Sequence, residues 1–347
     1  MSSENCLESP HADRCFNAAA DTLPVAGDAP QEFPIVALKF GGTSLLGADR
    51  MLHAAELVRA SARSSKAVVV VSAMKGVTDQ LLSLARALAE GHASYARNLG
   101  EAVLHAHLEV LRTLQLPEDK HTRVRYALEL LGRDLLHEVP ARGRVEPCPE
   151  LADRLASFGE RFSARLFAAA LEKSGVPAVP VCSSDFVLTC DTFRDATPNL
   201  AETRKRGRAV LLPLLADGLV PVVTGFIGAT PDGRITTLGR NSSDFSGAII
   251  AHVVDAEELI IWTDVDGIYT SNPRDSAEAS LLHDLSYDEA HALAAGGAKV
   301  LHPSVLPLAA ETEMTVWVRN TFKPLARGTR IGVPQAANGH EQFRGGA

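Results

Sequence analysis

Three short runs in this chain are apolar on both strand faces: residues 34–40 (P-I-V-A-L-K-F), 66–72 (K-A-V-V-V-V-S) and 259–262 (L-I-I-W). A strand with one wet face alternates polar and apolar positions, so runs this uniform need cover on both sides. Helical stretches lie between them. Residues 92–140 read as helical throughout, 149–173 as one long helix and 203–217 as another. Further strands are expected at 177–183, 219–228, 314–318 and 329–333, with 185–199 irregular. This alternation argues for an α/β fold with a mainly parallel central sheet and helices on both faces.

The chemistry gathers where strands end. Lys39 stands in an otherwise apolar strand, where a lysine either snorkels out at the strand end or meets an anion. The Gly41-Gly42 turn beside it favours a phosphate, and a helix capped near Ser44 is expected to follow. Ser72 and Thr78 bracket the next loop, Thr78 serving either a ligand or a helix cap. In the helix over 149–173, Leu151, Leu155, Phe158, Phe162 and Leu166 mark an apolar face, and Arg154, Arg161, Arg165 and Glu172 a solvated one. Glu160 belongs to neither: its neighbours Ala156, Ser163 and Ala164 are small, which suits close approach by a ligand. His105 and His107 read as structural or surface residues.

The stretch 238–274 concentrates the signal. L-G-R-N-S-S-D-F-S-G-A places a glycine, a cation and small hydroxyl residues before an apolar run, as a helix N-terminus facing an anion requires. The strand after it ends in Thr263, Asp264 and Asp266, and open α/β sheets bind ligands at the carboxyl ends of their strands. A D-G hairpin turn at 229–234, a Ser286/Glu289 capping box and Lys299 among apolar residues complete the pattern.

Composition excludes several classes. The 347 residues suit one large domain or two smaller ones, and 46% apolar content is ordinary for a packed core. A net charge of −8 leaves no electrostatic footprint for nucleic acid. Five scattered cysteines without metal-ligand spacing read as reduced thiols in a cytoplasmic protein. No apolar run approaches the roughly 18 residues of a membrane span. Residues 1–33, with Arg14 as their one basic side chain, read as a disordered tail and not a targeting segment.

Five blocks in register resemble the aspartokinase family, above all the kinase half of bifunctional aspartokinase–homoserine dehydrogenases. They are K-F-G-G-T-S from Lys39, S-F-G-E from Ser157, L-G-R-N-S-S-D-F-S-G-A from Leu238, W-T-D-V-D-G-I-Y-T-S-N-P-R from Trp262, and L-S-Y-D-E-A with G-A-K-V-L-H-P ending at Pro303. The resemblance covers roughly residues 34–331. It implies a three-layer αβα sandwich, the amino acid kinase fold, over 34–333. An N-lobe of about 34–235 would take the amino acid and a C-lobe of about 236–333 the ATP, followed by a flexible tail at 334–347.

The implied reaction moves the γ-phosphoryl of ATP onto the side-chain carboxylate of L-aspartate. That carboxylate is ionised at neutral pH, so the reaction needs no general base, only cations, oriented N–H groups and Mg2+ carried on the ATP phosphates. By resemblance, Lys39, Asp244 and Lys299 are catalytic. Lys39, Gly41, Gly42, Thr263, Asp264, Tyr269, Arg274, Lys299 and Val300 hold ATP. Ser72, Thr78, Glu160, Arg240, Ser243 and Asp244 hold aspartate, with Arg240 on its α-carboxylate and Glu160 on its ammonium. No residue is assigned directly to metal.

Asn241-Ser242 replaces the two glycines that most monofunctional aspartokinases carry after the arginine; Asn is shared with the bifunctional enzymes. Serine at a left-handed position there would be strained. Asn272-Pro273-Arg274 stands for the usual D-P-R, and Ala294-Ala295-Gly296 for a tyrosine-containing sequence. Relatives continue into ACT modules or a dehydrogenase, whereas this sequence stops soon after the last matching strand, so the kinase domain is expected to stand alone and to ignore lysine and threonine. Partners consistent with the resemblance are aspartate, ATP, a second copy in a homodimer, and a separate regulatory or downstream pathway enzyme. Two alternatives stand beside the kinase: a relative acting on another small carboxylate, and a non-catalytic regulatory subunit.

Overall fold

The structure is a computed structural model and describes residues 33–140, 143, 145–240, 242–271, 278–295 and 301–334. The first uniform run forms β1 (Ile35–Phe40), and a turn then leads to α1 (Ala48–Ser61) and β2 (Lys66–Val71). Four helices follow: α2 (Val77–Ala89), α3 (Ala93–Leu114), α4 (Glu118–His137) and α5 (Pro149–Lys173). The chain returns as β3 (Ala178–Val181), α6 (Leu200–Ala216) and β4 (Val220–Thr224), then the hairpin β5 (Ile227–Ala229) and β6 (Ile235–Thr237). Next come α7 (Ser243–Val254), β7 (Glu258–Thr263) and the short ribbon β8 (Ile268–Tyr269) with β9 (Leu281–Leu282). The last elements are β10 (Asp284–Leu285), α8 (Tyr287–Ala295), α9 (Val305–Glu311), β11 (Thr315–Asn320) and β12 (Thr329–Ile331).

Eight strands make one sheet in the order β10-β12-β11-β7-β1-β2-β4-β3. All run parallel except β10 and β12, which oppose the rest. The chain winds from β1 outward to β2 on one side and returns with β7 on the other. The carboxyl ends of β1 and β7 therefore border a crevice at a topological switch point, where such sheets bind ligands.

The uniform strands are covered on both faces. In β1, Leu38 and Phe40 join a core with Met51 of α1, Leu81 of α2 and Phe162 of α5. Ala37, one residue out of phase, joins the opposite core with Leu211 of α6, Ile250 of α7 and Leu308 of α9. Phe40 packs between Phe167 and Trp262, at ring centroids of 5.3 and 6.4 Å. No helix among the described residues is long and apolar enough to cross a membrane.

Several expectations need correction. Ser44 does not cap a helix: α1 begins after Gly47, and the buried Ser44 hydroxyl bonds Thr321 Oγ1 at 2.7 Å. The run 219–228 is not one strand, because it breaks after Thr224, where Phe226 takes φ 67°. Helix α6 starts earlier than 203, capped by Asn199, whose side chain accepts from Glu202 N. The face of α5 expected in solvent is half-buried, with Arg154 paired to Glu138 at 2.8 Å and Arg161 over the Phe158 ring. The Ser286/Glu289 capping box forms as expected.

Candidate functional site

Lys39 leaves β1 on the α7 face, only 6% exposed. Gly247 makes room for it, since a Cβ there would lie 3.2 Å from Lys39 Cβ. Its Nζ is 2.6 Å from Asp244 Oδ1 in the first turn of α7. This is an ion pair by distance, yet its angles leave Asp244 Oδ1 without a well-formed hydrogen bond. A buried lysine with one half-solvated counter-ion can take a further anion at little cost.

The turn after β1 is pinned from both neighbours. Gly41 N donates to Trp262 O at 3.2 Å, and Lys75 N to Gly42 O at 3.1 Å. A Cβ on Gly42 would sit 2.5 Å from Ala73 O, so no other residue fits. The loop after β2 is held in turn by α5: Ala73 N donates to Glu160 Oε1 at 3.0 Å, and Met74 N to Ser163 Oγ at 3.1 Å. Ser72 and Thr78 lie half-buried at the two ends of this loop. Thr78 is inside α2 and caps nothing; Gly76, at φ 89°, is the cap residue.

Glu160 is 3% exposed, and its second oxygen has no hydrogen-bond partner among the described residues. Burial pushes its pKa up to about 8, against the Ala73 N–H bond that lowers it. The free protein therefore carries a largely protonated carboxyl at neutral pH, ready to ionise if a cation arrives.

Helix α7 begins after Ser242 with no side-chain cap, so its first N–H groups remain available at the positive end of the helix dipole. Ser242 has φ −79°, an ordinary value, and the strain expected of serine there does not arise. Ser243, half-buried, opens the helix beside Asp244.

Arg240 is exposed and meets Asp79 Oδ1 at 3.2 Å, an open ion pair of little energetic weight. It lines an open cavity of about 280 Å³ together with Asp153, Ala156, Arg194, Phe226 and Thr237. Asp153, 2% exposed, is a residue that sequence reasoning missed. Its Oδ2 accepts from Arg194 N at 2.7 Å and Thr237 N at 2.9 Å, and its Oδ1 from Thr237 Oγ1 at 2.8 Å. Burial raises its pKa, opposed by these hydrogen bonds. The one sequence signal was its place on α5, seven residues before Glu160 and hence on the same face.

At the β7 end, Thr263 is half-buried and Asp264 exposed, their side chains 3.4 Å apart. Asp266, expected beside them as a site residue, is instead structural: Asn320 Nδ2 and Lys323 Nζ donate to it at 2.5 and 2.8 Å. Tyr269 is half-buried in β8. Arg274, Lys299 and Val300 lie outside the described residues. No three His, Cys, Asp or Glu side chains among the described residues gather closely enough to hold a metal ion.

Residues 34–320 match the Amino acid kinase family. Over 297 residues the chain is 35% identical to lysine-sensitive aspartokinase 3 of Escherichia coli K12, covering 86% of this chain and 64% of that protein. Aspartokinase 1, chloroplastic, of Arabidopsis thaliana is 33% identical over 85% of this chain and 51% of its own length. The chain thus spans less than two thirds of the length of either relative. Among solved structures, E. coli aspartokinase III in complex with aspartate and ADP matches with a TM-score of 0.79 at 33% identity, over 87% of this chain and 65% of that one. With the family matched across nearly all of the described sheet and the same architecture in a solved relative, the chain belongs to the amino acid kinase family.

Proposed function

We propose that the chain phosphorylates the side-chain carboxylate of L-aspartate at the expense of ATP, giving 4-phospho-L-aspartate and ADP. The observation that carries this reading is Lys39: a buried cation at the switch point whose one ion pair among the described residues is with Asp244 at the mouth of α7. A carboxylate oxygen attacks the γ-phosphorus, the bond from that phosphorus to the β–γ bridging oxygen breaks, and no proton moves. Such a reaction depends on positioning and charge stabilisation. Lys39 and the Gly42 N–H suit the phosphates, the Gly41 N–H being taken by Trp262 O, with Lys299 as a second cation. Asp244 keeps Lys39 oriented between turnovers.

For the amino acid, Arg240 would take the α-carboxylate and the unpartnered Glu160 oxygen the ammonium, with Ser72, Thr78 and Ser243 around the reacting end. Thr263, Asp264, Tyr269, Arg274 and Val300 would border the nucleotide. The oxygen ligands at hand, Thr263 and Asp264, suit Mg2+ held mainly through phosphate oxygens; when bound, the ion neutralises charge on the transferring group. On this reading the amino-acid lobe is about 34–235 and the nucleotide lobe about 236–333.

The test is a hydroxylamine trap for acyl phosphate with ATP and L-aspartate, L-glutamate or succinate as acceptor. The expected result is hydroxamate from aspartate well above the other two. Hydroxamate from another acceptor alone, or from none, would overturn the assignment.

A further inference from the structure

Arg194 adopts φ 73°, a left-handed backbone that a residue with a side chain occupies only when its surroundings impose it. Those surroundings are visible. The buried Asp153 carboxylate accepts the Arg194 N–H, and the next residues are tied to β6: Ala196 N donates to Thr237 O at 2.9 Å. The same carboxylate holds Thr237 through its N–H and its hydroxyl, three residues before Arg240. Gly239, at φ 89°, permits the close approach of the two segments, because a Cβ there would lie 2.7 Å from Asp195 Oδ1. One buried acid on α5 thus fixes both segments whose exposed arginines, Arg194 and Arg240, line the cavity.

The charges around this cavity are uneven. Arg194 and Arg240 both line it, and Asp153 is the acid among its lining residues, with three donors already on its oxygens. Among the described residues Arg194 forms no salt bridge, and the one that Arg240 forms is its open contact with Asp79. Two forked cations on one small cavity match a carboxylate better than any neutral group.

We propose that Arg194 is a second carboxylate-reading residue, acting beside Arg240 on the α-carboxylate of the substrate, and that Asp153 is the positioning residue for both. The proposal rests on the amino-acid kinase reading of this cavity. R194G is the sharpest variant, since glycine suits φ 73° and removes the guanidinium without stressing the fold. Calorimetric titration would compare the wild type and R194G with L-aspartate, L-aspartic acid α-amide, L-glutamate and succinate. The expected result is a thermal midpoint no lower than that of the wild type, with aspartate affinity weakened about tenfold or more. Affinity for the α-amide would be unchanged between the two proteins, and R194K would recover part of the loss. D153N would raise the KM for aspartate and leave that for ATP unchanged.

If the wild type binds succinate or glutamate but not aspartate, and R194G loses that binding, the inference stands and the aspartate assignment falls. Equal affinity of the two proteins for every anion that binds, or no binding by either, overturns the inference. A loss equally large for the α-amide would overturn it too.

Discussion

The two walls of the crevice are built differently. On the α5 side, Asp153, Glu160 and Ser163 are all buried, and each receives backbone N–H groups from a neighbouring loop. On the β7 side, among the described residues, Thr263 and Tyr269 are half-buried and Asp264 is exposed, with a 3.4 Å contact between Thr263 and Asp264, and only Asp266 is tied down, by Asn320 and Lys323. Burying polar groups costs stability unless their hydrogen bonds are made, so the α5 wall is a fixed mould and the β7 wall an open rim. A fixed mould selects by shape and charge; an open rim lets a larger ligand complete it. On the proposed function, the fixed side would take the amino acid and the open side the nucleotide.

Lys39 stands between the walls, and its loss should have the largest effect. Lys39→Ala is expected to lower kcat by about two to three orders of magnitude, as for other lost transition-state cations. Single-turnover assays beside far-ultraviolet circular dichroism would separate chemistry from folding. Near-normal turnover would remove Lys39 from the mechanism.

Glu160 tests the mould itself. An acid whose pKa is raised from 4.5 to about 8 destabilises the free fold increasingly as pH rises between those values, because only the unfolded chain ionises freely. A bound ammonium reverses that preference, so aspartate affinity should tighten from pH 6 to pH 8. Glu160→Gln keeps the acceptor for Ala73 N but not the charge. It should weaken aspartate about ten- to a hundredfold at pH 8 and flatten the pH profile. The same variant should also lose the fall in thermal stability between pH 5 and pH 8. A wild-type affinity that declines with pH would place the ammonium elsewhere.

Arg240 is exposed although it lines the same cavity as the buried Asp153, and its substitution should be milder. Arg240→Lys is expected to raise the KM for aspartate about tenfold with little change for ATP, since lysine keeps the charge and loses the fork. A defect mainly in ATP would transfer Arg240 to the rim. The smallest effect belongs to Asp79, which competes for Arg240 across an open ion pair. Asp79→Asn should tighten aspartate no more than about fivefold, and less in high salt. Weaker binding in that variant would make Asp79 part of the site.

The strands and the long helix α5 were legible because their signals are local: uniform apolar runs, one long apolar stripe, a D-G turn, a capping box. Lys39 and Glu160 stood out because each broke its local pattern. Asp153 did not, looking like any acid in the first turns of a helix, with partners 41 and 84 residues away. Ser44 misled for the same reason, as its hydroxyl is claimed by Thr321, 277 residues away and just past the end of β11. The requirement for glycine at position 42 was visible as a turn, but its cause, the Ala73 carbonyl, was not. What a residue does through contacts distant in sequence cannot be read from its neighbours.

The sheet order also governs how the protein comes into being. Val36 pairs with Glu258 and Ala37 with Leu259, so the two central strands are supplied by distant parts of the chain. During synthesis β1 can pair with β2 early, while its other edge waits for β7 to leave the ribosome. Non-local pairing of this kind is slow, and an unpaired apolar edge invites association with other chains. The crevice bordered by β1 and β7 therefore cannot exist in a nascent chain until β7 has been made. Its assembly is a late event, and until then the unpaired edge of β1 stays open to other chains.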